Sequence, residues 1–192
     1  MDIFAFVRKK PAEQVLEGHF ALAELPRMIV EKAPGAPDEG GFQWRLSAAD
    51  PAETKPYAAE MPEVKHFLEV RAEGEVWLEC QRCLKPYKQR LEAGTVFALA
   101  ASEEEADALP ILEEGPDVVV GAKDFDLAEL VEEELLLAMP DAPKHEFGDP
   151  ECVRPGSREV HRQQKQDNGA EAGGKPHPFA ALAALKQGKT SK

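Results

Sequence analysis

The feature that most constrains this chain is a strict alternation of side chains. It runs from Leu68 to Cys80, stops at a turn, and resumes with its parity changed. Even positions carry Leu68, Val70, Ala72, Gly74, Val76, Leu78 and Cys80; odd positions carry Glu69, Arg71, Glu73, Glu75, Trp77 and Glu79. A period of two is the signature of a strand, whose successive side chains point to opposite faces. One apolar and one charged face are what an antiparallel sheet covered on one side requires. After Cys80-Gln81-Arg82-Cys83-Leu84-Lys85-Pro86, the residues Tyr87, Leu91, Ala93, Phe97 and Leu99 alternate with Lys88, Arg90, Glu92 and Gly94. The pattern predicts a long β-hairpin with a C-x-x-C at its tip.

Two cysteines three positions apart on a tight turn can direct both sulfurs to one side, which is half of a zinc knuckle. The remaining donors within reach of such a site are His145 and Cys152, in a proline-rich stretch beginning at Pro140. Cys80, Cys83, His145 and Cys152 would close a tetrahedral structural zinc site and tie that stretch to the hairpin tip. The alternative is three free thiols and a surface histidine, and the spacing alone does not choose between them. A thiol-disulfide site is a further reading. Such pairs usually sit at a helix N-terminus, which lowers the thiolate pKa, whereas this one lies between two strands.

Around the hairpin, residues 11–17 are expected to form a short helix starting at Pro11 and carrying Val15 and Leu16. Gly18–Leu22 and Phe42–Ala48 read as strands, and Val118–Val120 as one more. Three prolines between Asp50 and Pro62 predict an irregular connection, and the acidic run from Ser102 to Asp117 a solvated loop. The clearest helix runs from Asp126 to Met139. Asp126 and Glu129 make a capping-box-like start, Pro140 the stop, and Leu127, Leu130, Val131, Leu135 and Ala138 an apolar stripe. Glu132, Glu133 and Glu134 are consecutive, so they diverge by about 100° per residue, do not converge as an acid/base pair, and are expected in solvent. The fold class that follows is α+β: a mostly antiparallel sheet with a long hairpin, one packed helix and a flexible C-terminal tail.

Charge divides the chain. The net charge is -13; residues 154–192 hold eight basic and three acidic residues, a net +5, which leaves -18 for residues 1–153. A body this acidic repels a phosphate backbone. Residues 1–153 are therefore read as an acidic α+β domain, 154–176 as a disordered glycine- and glutamine-rich linker, and 177–192 as a short amphipathic motif. In that motif Phe179, Leu182 and Leu185 form an apolar stripe on a helix too short to be stable alone, so it is expected to dock, on its own body or, the reading a flexible tether favours, on a partner. Three cysteines, no signal-peptide pattern at Met1–Lys10 and no long apolar run predict a cytoplasmic protein outside the membrane. No phosphate-binding glycine loop, H-E-x-x-H or nucleophile elbow occurs, so a non-enzymatic role is expected.

Three stretches together resemble the bacterial YceD family, named for large ribosomal RNA subunit accumulation. They are Leu78–Pro86, similar to its L-x-C-x-R-C-x-x-P signature; Asp126–Leu127 with Glu132–Pro140 and Pro143–His145, similar to its acidic helix and exit; and Pro178–Lys186, similar to its N-P-F-A-x-L-A-x-L-K tail, with His177 in place of Asn. The resemblance implies a role in accumulating 23S ribosomal RNA, hence in ribosome biogenesis. The charge adds that this role would run through a ribosome-assembly or RNA-processing protein, with ribosomal RNA contacted indirectly. Arg82, Lys85, Phe179, Leu182 and Leu185 are the candidate partner-binding residues. The competing reading is a zinc-dependent nucleic-acid-binding module whose Arg82, Lys85, Lys88 and Arg90 touch phosphate; the same cations could instead balance the glutamates of the paired strand.

Overall fold

The alternating segments fold as the hairpin they predict. In the computed structural model, which describes residues 1–10, 13–113 and 115–153, β3 (Phe67–Glu79) and β4 (Pro86–Ala100) pair antiparallel from Phe67↔Ala98 to Glu79↔Pro86. Val70, Ala72, Val76, Leu78 and Cys80 are buried, and so are Tyr87, Leu91, Phe97 and Leu99 on the facing strand. The sheet is completed by β1 (Val15–Ala21), β2 (Gly41–Ala48) and β5 (Asp117–Val120), in the spatial order β1-β2-β3-β4-β5. Only the β4–β5 pairing is parallel. The architecture is α+β, and its compact unit runs from Met1 to Cys152.

Helix α5 (Leu127–Leu137) begins where its cap predicts, with Asp126 Oδ1 accepting from the Ala128 and Glu129 amides at 3.0 and 3.1 Å. Its Leu127, Val131 and Leu135 pack on the apolar face of the sheet with Phe42, Leu46, Val70 and Leu91. Two short helices join it there: α1 (Ile3–Val7), capped by Asp2, and α2 (Pro26–Glu31). Ile3, Phe6 and Met28 are among the most buried side chains. A smaller cluster of Met61, Val64, Ala98, Ala100 and Leu109 covers one end of the opposite face.

Four local expectations are corrected. Val15 and Leu16 belong to strand β1, because Ser47 and Leu46 of β2 offer them a ladder that outweighs the helix-start signal of a proline. The N-terminal helix lies earlier, at Ile3–Val7. The Asp50–Pro62 connection contains helix α3 (Pro51–Glu60): Pro51 occupies the first turn, where no N–H is needed, and Asp50 caps it. The acidic run from Ser102 likewise coils into α4 (Glu103–Ala108), since Ser102 Oγ accepts from the Glu105 amide and three glutamates sit at the favourable N-terminal end. Finally, Glu132 and Glu134 are buried while only Glu133 of the three is exposed. Glu134 falls within the angular range of the apolar stripe, where the Thr95 hydroxyl donates to it. Glu132 caps helix α2.

Gly74 marks the tightest point of the sheet. A Cβ there would fall on the Gly41 carbonyl oxygen and lie 2.6 Å from Phe42 Cδ1, and neither backbone nor buried ring can step aside. Gly74→Ala is expected to destabilise the fold by roughly 1–3 kcal/mol, read as a lower urea midpoint at unchanged slope. A midpoint equal to wild type would show that the β2–β3 ladder yields more easily than this packing implies.

Candidate metal centre

The hairpin tip is a closed turn. The Cys80 amide donates to Lys85 O at 3.0 Å and the Leu84 amide to Cys80 O at 2.7 Å, which turns both sulfurs the same way. Closure requires a positive φ of 58° at Leu84. Pro140 ends α5, and the chain then runs back to the tip, where the Gln81 amide donates to Pro143 O at 2.8 Å. Two residues on, His145 is buried, with its ring 4.9 Å from that of Tyr87. A second turn brings Cys152 in: its amide donates to Asp149 O at 3.1 Å, and Asp149 Oδ1 accepts from the Glu151 amide at 2.8 Å.

The result is a cluster of one ligand atom each from Cys80, Cys83, His145 and Cys152, all within 4.8 Å of one another. Cys80 Sγ lies 3.8 Å from Cys152 Sγ, and Cys83 Sγ lies 3.5 Å from His145 Nδ1. Donors at the corners of a tetrahedron around zinc, with Zn–S about 2.3 Å and Zn–N about 2.0–2.1 Å, stand about 3.8 Å apart for two sulfurs and about 3.6 Å for sulfur and nitrogen. The donor set and both edges fit a four-coordinate metal.

The donors are electrostatically linked. Burial pushes the Cys80 thiol up, but hydrogen bonds from His145 and from the backbone at His145, Cys83 and Arg82 outweigh it and bring the thiol down to about 5. Burial raises Cys83, and its neighbours Cys80 and Cys152 add to the rise. Negative charge is thus favoured on one sulfur and resisted on the next, a conflict that a divalent cation would remove. Arg82 Nε donates to Cys152 Sγ at 2.9 Å, and its terminal nitrogen to His145 O and Glu146 O at 3.1 Å each. Arg82 therefore ties the turn to the loop that carries the other two donors.

The structure brings together all four residues singled out as ligands. Of the candidate partner residues, Arg82 spends its guanidinium on the loop, and Lys85 is exposed with Nζ 3.4 Å from Glu151 O. Phe179, Leu182 and Leu185 lie outside the described residues. Lys88 faces Glu75 at 3.4 Å and the Trp77 ring, and Arg90 pairs with Glu73 and Glu92 at 2.7 Å, so each cation of the tip already has an acceptor. A groove of about 670 Å³ lies away from the cysteines, on the charged face of the sheet; its Arg45 and Arg71 are paired with Glu17 and Glu69. The supporting roles of Arg82 and Tyr87 were not read from the sequence. The one available signal was the arginine inside the C-x-x-C, which a patch argument assigns to the surface. No helix among the described residues is long and apolar enough to cross a membrane.

Comparison with known proteins places the chain in a family. The family model described as "Large ribosomal RNA subunit accumulation protein YceD" matches residues 68–186, the hairpin through the C-terminal stripe. A protein of that description from Haemophilus influenzae (strain ATCC 51907 / DSM 11121 / KW20 / Rd) is 39% identical over 113 residues. The alignment covers 59% of this chain and 61% of that protein, less than two thirds of the relative. No solved structure matches.

Proposed function

The chain belongs to the YceD family, and from that premise we propose that it is a non-enzymatic factor supporting the accumulation of 23S ribosomal RNA, acting through a protein partner and held in shape by one structural zinc. The observation that carries the reading is the convergence of four donors, three of them buried and Cys152 half-buried. Cys80, Cys83 and His145 are at most 7% exposed and face one another, which leaves no open position for a substrate. A closed Cys₃His set is a structural arrangement; catalytic zinc sites keep one corner free. Bound there, zinc would join the hairpin turn to the loop after α5 by covalent-strength bonds. The acidic body and the fully engaged cations of the tip argue against naked RNA as the main ligand and for a protein.

The test is genetic and analytical. In a strain without the chain, the ratio of large- to small-subunit ribosomal RNA should fall and be restored by the wild-type sequence. An unchanged ratio would sink the reading. Metal analysis of protein purified without chelators should give one zinc per chain. Arg82→Ala should weaken zinc binding about 10–100-fold in competition with a chromogenic chelator, because removing a group that orients ligands typically costs that much. Unaltered zinc affinity in that variant would mean the loop finds its place without the guanidinium.

A further inference from the structure

The metal end of the molecule carries two large apolar side chains that nothing within the described residues covers. Leu84 is 61% exposed and Phe147 is 99% exposed. They stand on the two segments that meet at the Arg82–Glu146 contact, Leu84 two residues beyond Arg82 and Phe147 one residue beyond Glu146. Both are costly where they are. Leu84 adopts a left-handed conformation that glycine takes freely and leucine does not, and it recovers no burial in return. Phe147 sits beside Gly148, whose φ of 91° tightens the turn that holds the ring out in water. An exposed aromatic and an exposed leucine on loops cross-tied by Arg82 are apolar surface left for a partner to cover.

We propose that Leu84 and Phe147 are the anchors of a docking face, and that its occupant is a basic protein presenting an apolar pocket bordered by lysine or arginine. This rests on the reading above that the chain works through a protein. Charge narrows the occupant to a cationic one. Residues 141–151 carry Asp141, Glu146, Asp149 and Glu151 against Lys144; the tip adds Arg82 and Lys85, whose nitrogens already lie at the carbonyls of Glu146 and Glu151, so within a body of -18 the rim around Phe147 stays acidic on balance. A second copy would bring the same charge and be repelled, as would RNA. The chain's own residues 154–192 carry a net +5, so charge leaves them as the competing occupant, which the crosslink below tests. A cationic partner with a concave apolar site satisfies both the apolar side chains and the carboxylates. Proteins that bind ribosomal RNA are rich in such cations, because phosphate contacts demand them.

The test uses the full chain in cells, with the photoreactive residue p-benzoylphenylalanine placed at position 147 and, separately, at 84. The expected adduct is with a basic protein, the crosslinked peptide maps to an apolar pocket flanked by lysine or arginine, and Leu84→Gly lowers the yield from position 147 at least about tenfold. Leu84→Met should retain the adduct. Leu84→Gly should also keep its zinc and its melting temperature, since glycine relieves the φ; loss of the adduct in a folded, metal-bearing variant isolates the anchor from the fold. An adduct with the chain's own residues 177–186, with a second copy, with RNA or with nothing would overturn the proposal. If the Leu84→Gly, Phe147→Ser double variant supports normal large-subunit RNA where deletion of the chain does not, the docking face is wrong and the biogenesis role stands. If deletion itself has no effect, the role is what fails.

Discussion

Cys83→Ser is expected to abolish the zinc binding proposed for the four-donor site and to release the loop from 140 to 152, while the sheet remains folded. A serine hydroxyl is neutral near pH 7 and a poor ligand for zinc, so three donors remain, in a turn where Cys83 is 1% exposed. The core behind it is held by apolar packing among Phe42, Leu46, Val70, Leu91, Val131 and Leu135, none of which is a metal donor. The loss is therefore expected in two parts. Hydrogen exchange at the Gln81 and Cys152 amides, whose acceptors lie across the clip or within its loop, should accelerate by orders of magnitude, as their local opening no longer requires a metal bond to break. Global stability should fall by about 4 kcal/mol if free zinc stands a thousandfold above its dissociation constant, which lowers the melting temperature by roughly 8–16 °C for a chain of this size. Chelator should do the same to the wild type and nothing to the variant. The pH dependence has a definite sign. Zinc takes thiolates, and Cys83 holds its proton more tightly than a free thiol, so uptake releases protons and occupancy declines as pH falls. A variant that keeps one zinc, or a wild type that holds none and instead forms a reversible Cys80–Cys152 disulfide across the 3.8 Å gap, would refute the clip.

What the sequence made legible follows from the range of each signal. The hairpin was readable because period-two alternation is local and every pair repeats it; β3 and β4 follow it over their whole length. Helix α5 was readable because Asp126, the apolar stripe and Pro140 are start, face and stop in one segment. The four donors were found together because cysteine and histidine are few and their chemistry narrows the choice. By contrast, α3 and α4 were hidden because proline and clustered acid were weighed as breakers without their positions relative to Asp50 and Ser102, the caps that make them helix starts. Strand β1 depended on a ladder partner some 30 residues away. The roles of Arg82 and Glu132 depended on partners more than 60 and 100 residues distant, and no window of sequence contains both ends of such a contact.

Glu132→Ala is expected to be among the most destabilising single changes away from the metal site, although the residue sits in a run of glutamates that would pass for solvated. Its side chain is 4% exposed. Oε1 accepts from the Arg27 amide at 2.7 Å and the Met28 amide at 2.9 Å, and Oε2 from Arg27 Nε at 3.2 Å. Helix α2 has no cap of its own: Leu25 stands at its N-cap and Pro26 has no N–H, so Arg27 and Met28 hold the first free donors of the helix, and Glu132 satisfies both. Met28 is fully buried, so alanine at 132 would strand its amide away from water and take the acidic counterpart from the helix dipole. Unpaired buried donors and a lost charged acceptor together cost roughly 2–4 kcal/mol, or roughly 5–15 °C in melting temperature. Glu132→Gln separates the contributions. An amide oxygen still accepts from the two backbone donors, while the ion pair with Arg27, half exposed at 47%, is worth little. The glutamine variant should therefore lose about 1 kcal/mol. Equal losses for alanine and glutamine would assign the stabilisation to charge. A near-neutral alanine would mean that water reaches the start of α2, and that the contact between α2 and α5 rests on packing alone.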